Sequence, residues 1–242
     1  MNWKRIVRSR IRRVGYDLVS FRSVSSLGSH LSKLYDLYNV GLIIDVGAHR
    51  GEYGDYVRQL GYQGAICSFE PVLENYNLLA ERARRDPSWH VIRSALGDAA
   101  GDFELNVMSG TVLSSFMSPS NWGRTEYGTG LEVTRSETVP VARLDDLFDE
   151  LRTHAGHGSV MLKVDTQGFE RNVLSGATNS LGYISIVQAE LPVLHLYEDV
   201  DDYQTVLGDL QKQGFEISGL WPVAHDHSMR LIEIDCIVVR AS

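Results

Sequence analysis

A carboxylate beside a glycine-containing turn is the first pattern in the chain that could do chemistry. Asp45 lies near the end of the apolar run at 42–46, and Gly47 and Gly51 follow where a helix is predicted to begin. Ligands of open α/β sheets bind at the carboxyl ends of strands, and a glycine there lets a ligand approach the backbone. Backbone amides at the start of the helix favour an anionic group. The turn therefore predicts a cofactor site.

The charge of this turn separates two classes of cofactor. A dinucleotide site prefers Gly-x-Gly-x-x-Gly, which places a pyrophosphate against backbone amides, whereas this turn has Gly47-x-x-x-Gly51. Asp45 and Glu52 would also repel a pyrophosphate. The ammonium and sulfonium of S-adenosylmethionine favour nearby carboxylates, so the turn favours this methyl donor. A nicotinamide-dependent oxidoreductase and a non-catalytic donor-binding protein stay open as alternatives.

A second carboxylate follows the next predicted strand. Glu70 lies 25 residues after Asp45, directly before Pro71. An acid at this strand end can accept hydrogen bonds from two ribose hydroxyls. The same spacing occurs in dinucleotide sites, and a carboxylate can also stand there only to favour the start of a helix. Together with the preceding turn, Glu70 favours a nucleoside-containing cofactor.

Three residues later in the chain are candidates for acceptor binding and proton removal. Asp165 and Glu190 end two further predicted strands, and His195 follows shortly after. Methyl transfer is an in-line displacement that gains from alignment of the reacting atoms, and a neutral hydroxyl benefits from a positioned base. The alternative roles are helix capping for Asp165, an ion pair with Lys163 or Arg230 for Glu190, and ordinary packing or exposure for His195.

Other polar and aromatic clusters carry weaker signals. Asp165 and Glu190 offer oxygen ligands for a divalent metal, but two carboxylates do not make a site, and we predict no resident metal. His225 and His227 are more typical of a solvated loop than of a metal pair. A further aromatic set either lines an acceptor pocket or simply packs under a long insertion, and it comprises Trp122, Tyr127, Trp221 and Pro222.

The elements that must position these residues alternate between strands and helices. Apolar runs predict strands at 42–46, 65–69, 89–95, 160–165, 183–189, 215–220 and 231–239, with helices at about 51–60, 73–85, 169–174 and 202–213. This alternation predicts an α/β, Rossmann-like fold with a mostly parallel seven-stranded sheet, helices on both faces and a terminal antiparallel strand. The domain is predicted over 41–242. An insertion or lid at about 101–145 contains two strands and a Ser/Gly-rich stretch.

Composition limits the class of protein. The chain has 242 residues, of which 43% are hydrophobic, enough for one large domain. No apolar run reaches the roughly 18 residues of a membrane-spanning helix. No secretory apolar segment follows the basic N-terminus. Cys67 and Cys236 lie in apolar runs and are interpreted as buried thiols, so a cytoplasmic protein is expected.

Residues 1–40 are predicted to form a helical extension, with helices near 3–20 and 27–38. Its first part is basic and contains Lys4, Arg5, Arg8, Arg10, Arg12 and Arg13. This arm could contact an anionic membrane surface or an acidic partner, or form a solvated helix face. The net charge is −8, and an acidic body disfavours nucleic acid as the main partner. No pattern indicates an oligomeric state.

Four motifs, taken in order, resemble those of the FkbM-type methyltransferases. They are Asp45-Val-Gly-Ala-His-Arg-Gly-Glu-Tyr, Phe69-Glu-Pro, Ser94-Ala-Leu-Gly-Asp and Leu162-Lys-Val-Asp-Thr-Gln-Gly-Phe-Glu. The likeness extends over roughly residues 41–240. It implies a class I methyltransferase fold, S-adenosylmethionine as the donor, and O-methylation of a small-molecule acceptor such as a sugar, glycan or natural product.

The resemblance also implies a set of site residues. The expected donor contacts are Asp45, Gly47, Ala48, His49, Gly51, Glu70, Ser94, Ala95 and Asp165, with Ser94 and Ala95 near the adenine. Family members often carry a glutamate two residues after the aspartate that corresponds to Asp165. This chain has Gln167 there, so a role for such a glutamate cannot be carried over.

Overall fold

The computed structural model describes residues 26–241, so the predicted helix near 3–20 and the basic arm lie outside the described residues. The helices are α1 (Leu27–Leu37), α2 (Glu52–Gln59), α3 (Leu73–Ala83), α4 (Asn121–Tyr127), α5 (Leu144–Leu151), α6 (Glu170–Ser175) and α7 (Tyr203–Lys212). The strands are β1 (Val40–Val46), β2 (Ala65–Phe69), β3 (Trp89–Ile92), β4 (Ala95–Leu96), β5 (Gly101–Met108), β6 (Val133–Ala142), β7 (Ser159–Val164), β8 (Ile184–Pro192), β9 (Phe215–His225) and β10 (Leu231–Arg240).

Seven strands form one sheet in the order β3-β2-β1-β7-β8-β10-β9. The neighbours from β3 to β8 are parallel, whereas β10 is antiparallel to both β8 and β9. The predicted Rossmann-like sheet with an antiparallel terminal strand is confirmed. The chain moves outward from β1 to β3 and returns at β7 on the other side of β1. The carboxyl ends of β1 and β7 therefore border the switch point, where ligands of such sheets bind.

Apolar side chains cover both faces of the sheet, because parallel strands are buried on both sides. On one face, α1, α2 and α3 pack through residues such as Leu31, Val57 and Leu79. On the other face, α5, α6 and α7 contribute residues such as Phe148 and Val173. The helix predicted near 27–38 corresponds to α1, in which Leu31 and Leu34 are buried and the last residue, Leu37, is 76% exposed.

The region between β4 and β6 forms a second, three-stranded sheet in the order β4-β6-β5. The predicted single strand at 89–95 is wrong in its last part: β3 ends at Ile92, and β4 instead pairs with β6. Between β5 and β6, the Ser/Gly-rich stretch contains α4, whose N-cap is Ser120. Neither α4 nor α5 was predicted, although Leu144, Phe148 and Leu151 recur at helical spacing.

Two further sequence predictions concern membrane spans and cysteines. No helix between residues 26 and 241 is both long and apolar enough to cross a membrane. Cys67 and Cys236 are buried free thiols, as predicted. Burial raises the pKa of each thiol to about 12, so both stay protonated and are poor nucleophiles at neutral pH.

Candidate functional site

A cavity of about 900 Å³, counted out to its open mouth, lies at the carboxyl ends of β1, β2 and β7. This is the switch point that the strand order defines. The turn after β1, the residues after β2, the insertion and the end of β7 all contribute to its wall. Its lining residues include His49, Glu70, Val72, Ala95, Leu105, Thr111, Phe116, Lys163, Asp165, Gln167 and Phe169.

The turn between β1 and α2 is closed by its own hydrogen bonds. The amides of Gly47 and Ala48 both donate to the carbonyl of Phe69, and the Gly51 amide donates to the carbonyl of Ala48. The amides of the two residues between them donate to the carboxylates of Glu70 and Glu52. The five turn amides from Gly47 to Gly51 thus already have acceptors within the protein, and the role of the amides that open α2 at Glu52 in holding an anionic group of the donor stays a prediction.

The packing of two neighbouring turns requires a glycine at position 47. Its φ is +78°, and a Cβ atom placed there would lie 1.8 Å from the carbonyl oxygen of Asp165. The turn after β7 thus packs directly on the turn after β1, with no room for a side chain. The two turns that border the cavity are consequently held together. Gly47 also lines the cavity, so the predicted approach of a ligand to its backbone stays a prediction beside this packing role.

Glu70 is held in the cavity wall by backbone groups. Its side chain is buried, one carboxylate oxygen accepts from the amide of Val72, and the other accepts from the amide of His49, both at 2.9 Å. Burial raises the pKa of Glu70 to about 7. Each oxygen keeps a further lone pair, so the carboxylate can still accept hydrogen bonds from two ribose hydroxyls.

His49 connects the first turn to the insertion. Its Nδ1 lies 3.2 Å from a carboxylate oxygen of Glu52, and its Nε2 lies 2.9 Å from the hydroxyl of Thr111. Burial lowers the pKa of His49, which favours the neutral ring. A neutral ring with its proton on Nδ1 donates to Glu52 and accepts from Thr111. His49 thus ties the insertion to the turn after β1.

The apolar end of the cavity suits a planar base. Val72, Leu105, Phe116 and Phe169 line it, and the two phenylalanine rings are tilted by 43° with their centroids 4.7 Å apart. The sequence missed all four, because they come from segments far apart in the chain. Of the two residues expected near the adenine, Ala95 lines this end. Ser94 does not, and its hydroxyl donates to the carbonyls of Ala95 and Pro140.

Asp45 lies beneath the cavity wall and does not line the cavity. It is fully buried, one oxygen accepts from the Ser68 hydroxyl at 3.0 Å, and the other lies 3.4 Å from Nζ of Lys163. The indole of Trp89 donates to the same Ser68 hydroxyl. Burial raises the pKa of Asp45, and Lys163 opposes the shift. The expected direct donor contact is replaced by a supporting role for Lys163.

Lys163 is the buried cation of the site. Its Nζ lies 3.2 Å from an oxygen of Asp165, in addition to the contact with Asp45. Burial alone would lower the pKa of Lys163, but Asp165, Asp45 and Glu190 together raise it above its usual value. Sequence reasoning considered this lysine only as a partner for Glu190. Its two actual partners follow from β7 lying beside β1.

Asp165 brings a carboxylate to the cavity wall, and Gln167 connects it to Glu190. One Asp165 oxygen accepts from Lys163, and the other accepts from the Gln167 side-chain amide at 3.0 Å. The same amide nitrogen donates to Glu190 at 3.1 Å. The structure therefore brings two of the three predicted catalytic candidates together. Asp165 faces the cavity, whereas Glu190 lies behind Gln167.

Glu190 borders a second, smaller cavity of about 260 Å³, whose wall also includes Gln167, Tyr197 and Glu233. Burial, followed by the neighbouring carboxylates Asp165 and Glu233, raises the pKa of Glu190. Burial also raises the pKa of Glu233 to about 7. Among the described residues, neither Glu190 nor Glu233 has an ion-pair partner within 4 Å. The second cavity is consequently rich in carboxyl groups that favour their neutral forms.

His195 does not join the other two catalytic candidates. Its side chain is exposed and lines neither cavity, and its backbone carbonyl accepts from Ser120. Tyr197, two residues later, is buried instead, and its hydroxyl lies 2.7 Å from the Leu113 carbonyl and 3.2 Å from the side-chain oxygen of Gln167. The chain bends between these residues after β8 ends at Pro192. The side chain that contacts Gln167 is therefore that of Tyr197, two positions after the predicted histidine.

The remaining aromatic and histidine candidates are not at the cavities. Trp122 and Tyr127 pack against the apolar cluster beneath the insertion, and Trp221 stacks on the ring of His30. His227 is mostly exposed and lies 3.6 Å from Glu126. Within residues 26–241 no group of three or more His, Cys, Asp or Glu side chains could hold a metal ion.

The chain matches one family model and is similar to several solved structures. Residues 45–217 match the family model of the methyltransferase FkbM domain. No curated protein sequence matches the chain. Among solved structures, magnesium protoporphyrin IX methyltransferase from Synechocystis with bound S-adenosylmethionine has a TM-score of 0.49 at 11% identity, over 100% of this chain and 98% of that chain. Fibrillarin from Aeropyrum pernix, with natively bound S-adenosylmethionine, has a TM-score of 0.48 at 12% identity, over 82% of this chain and 66% of that chain.

Proposed function

The chain belongs to the FkbM methyltransferase family, and we propose that it methylates a hydroxyl oxygen of a sugar, glycan or natural-product acceptor. The methyl donor of the family is S-adenosylmethionine, which supplies an electrophilic methyl group. The cavity at the switch point is the donor site in this proposal. The acceptor approaches from the side of Asp165.

The residues along the cavity match the chemical groups of this donor, from its adenine to its sulfonium. Glu70 offers two carboxylate oxygens to the ribose hydroxyls, and the apolar end between Phe116 and Phe169 suits the adenine. At the opposite end, the carboxylate of Asp165 suits the positive charge of the donor. Asp45 lies behind the wall and supports Lys163. These placements support most of the expected donor contacts, with Asp45 and Ser94 acting indirectly.

The position of Asp165 carries the proposal of O-methylation. A hydroxyl must lose its proton as its oxygen is methylated, so a carboxylate within reach helps the reaction. Lys163 and Gln167 each hold one oxygen of Asp165, which fixes the carboxylate at the cavity wall. We assign Asp165 as the catalytic residue that orients the hydroxyl and accepts its proton. Glu190 lies behind Gln167 and acts through it.

The test combines donor binding with methyl transfer. Calorimetry with S-adenosylmethionine and S-adenosylhomocysteine measures binding, and labelled-methyl transfer to a panel of glycans and hydroxylated metabolites finds the acceptor. We expect Asp165→Asn to lower turnover by about 10²–10⁴ while the protein still binds S-adenosylhomocysteine. Asp102→Asn, which changes an exposed carboxylate on β5, is the matched control and should leave turnover unchanged.

The two alternatives from the sequence give different results in the same assays. A nicotinamide-dependent oxidoreductase would be stabilised against heat by NAD and not by S-adenosylmethionine. A non-catalytic protein would bind the donor tightly and methylate no member of the panel. Methylation of an amine in place of a hydroxyl would contradict the proposed acceptor class but retain the donor site.

A further inference from the structure

Gln167 has an unusual backbone for a residue that is not glycine. Its φ is +54°, in a region that few non-glycine residues adopt, and its side chain is nearly fully buried. Such a conformation persists only where the surroundings determine it, and it is concentrated at functional sites. The residue also stands in the wall of both cavities. These observations point to a role beyond that of a loop connection.

The side chain of Gln167 is bonded at both ends of its amide. The nitrogen donates to Asp165 at 3.0 Å and to Glu190 at 3.1 Å. The oxygen lies 3.2 Å from the hydroxyl of Tyr197. The nitrogen faces the two carboxyl groups because the ionised Asp165 can only accept, and its two N–H groups can serve both.

The insertion holds the backbone of the same residue. The Ser115 hydroxyl donates to the carbonyl of Gln167 at 2.6 Å. The hydroxyl of Tyr197 also lies within hydrogen-bond distance of the Leu113 carbonyl, at 2.7 Å. One contact from the insertion thus reaches Gln167 directly, and a second reaches its neighbour Tyr197. The strained backbone is held from outside its own turn.

We propose that Gln167 is a positioning residue that holds the carboxyl groups of Asp165 and Glu190 side by side at the acceptor side of the donor cavity. The inference rests on the proposed function, because it assigns a purpose to Asp165 in methyl transfer. An amide suits this place because its two N–H groups serve two acceptors. A glutamate there would bring a third carboxylate against the first two, with no proton to donate when ionised.

Other charged and titratable groups also act on Glu190, so the test must isolate Gln167. They are Lys163 and Asp165 on the β7 side, Glu233 and Asp235 on β10, and Tyr127 from α4. None of them changes in the variants below. A difference between variants at position 167 therefore reports the amide itself.

The experiment measures the titration of Glu190 in the full chain. Protein labelled with ¹³C at glutamate carboxyls is followed by NMR, and the Glu190 signal is assigned with Glu190→Gln. Gln167→Asn tolerates the positive φ but is one methylene too short to reach both carboxylates. We expect it to raise the pKa of Glu190 by about one pH unit, Gln167→Glu to raise it further, and Tyr197→Phe to raise it less.

Gln204→Ala is the matched control, because Gln204 is exposed on α7. It should leave both the Glu190 titration and the methyl-transfer rate unchanged. With the acceptor found in the panel, Gln167→Asn should lower kcat at least tenfold with less than a threefold change in donor affinity. It should also move the acidic limb of the pH profile in the same direction as the titration.

Distinct results separate this inference from the proposed function. If Gln167→Asn lowers kcat but leaves the Glu190 titration at the wild-type value, Gln167 has only a structural role and the inference fails. If the titration moves as expected but the wild-type protein methylates no hydroxyl, the carboxylate positioning stands and the proposed function fails. Unchanged titration and unchanged kcat would overturn the inference directly.

Discussion

The two carboxylates of the donor cavity are held in different ways. Glu70 accepts from two backbone amides, those of Val72 and His49. Asp165 accepts from two side chains, those of Lys163 and Gln167. Backbone donors follow from the path of a strand and its turn, whereas side-chain donors depend on residues that must be present on neighbouring elements. The position of the Glu70 carboxylate, at one end of the cavity, is therefore determined by local backbone geometry. The position of the Asp165 carboxylate, at the other end, is determined by side chains from other parts of the site.

We therefore expect the two ends of the cavity to differ in how well they tolerate substitutions. A change beside Glu70 leaves its amide donors in place, because every residue except proline supplies an amide. A change at Lys163 leaves Asp45 without its cation and Asp165 without one of its donors. We expect the Glu70 end to respond mainly in donor affinity. The Asp165 end should respond in both stability and chemistry.

The largest expected effect is on folding. Lys163→Met removes a buried cation and leaves Asp45 buried without it, so we expect a loss of about 3–5 kcal/mol in the free energy of unfolding. Urea unfolding followed by circular dichroism measures this loss. Adding Asp45→Asn to Lys163→Met should recover part of it, because the uncompensated charge is then removed.

Two controls sharpen this first comparison. Glu70→Gln should change the free energy of unfolding less, since the amide oxygen still accepts from one of the two backbone amides and no buried charge is left uncompensated. Arg171→Met removes exposed ion pairs with Asp201 and Asp209, which water screens, and should also have little effect. Equal losses for Lys163→Met and Glu70→Gln would break the distinction between the two ends.

The next effect is the pH dependence of donor binding. The pKa of Glu70 is raised to about 7 by burial, and its ionised form is the better acceptor for ribose hydroxyls. We expect affinity for S-adenosylhomocysteine to rise about tenfold between pH 6 and pH 8, measured by calorimetry. This ligand lacks the sulfonium, so it depends less on the Asp165 end. Glu70→Gln should remove the dependence, and an equal slope in that variant would contradict the assignment.

The same raised pKa has the opposite effect on folding. Because the folded state binds the Glu70 proton more tightly than the unfolded chain does, its neutral form favours folding. This contribution is fully present below the ordinary pKa of 4.5 and is lost as pH rises through about 7. Donor affinity and stability should therefore change in opposite directions over this range.

The smallest expected effect is at His195. The exposed ring lines neither cavity, so His195→Ala should keep turnover within about twofold of wild type, a difference well under 1 kcal/mol. Methyl transfer to the acceptor found in the panel measures it. A tenfold loss would mean that the chain after β8 rearranges to bring this ring to the site.

The sequence predicts the local parts of the site better than the long-range ones. The boundaries of β2 and the position of Glu70 follow from an apolar run and the turn after it. The contacts that Lys163 makes with Asp45, and Gln167 with Glu190, were not predicted, because these residues become neighbours only when β7 lies between β1 and β8. The misplacement of the His195 ring has a similar cause, since the bend after β8 depends on contacts with the insertion.

A line of side chains crosses the sheet at its carboxyl edge, from Trp89 through Ser68 and Asp45 to Lys163 and Asp165. Trp89, Ser68, Asp45 and Lys163 stand on successive strands of the sheet, and Asp165 directly follows the strand that carries Lys163. A substitution at one of these positions therefore leaves its neighbour without a partner unless the neighbour is also substituted. Across related sequences, these positions should covary in pairs that follow the spatial order of the strands rather than their order in the gene.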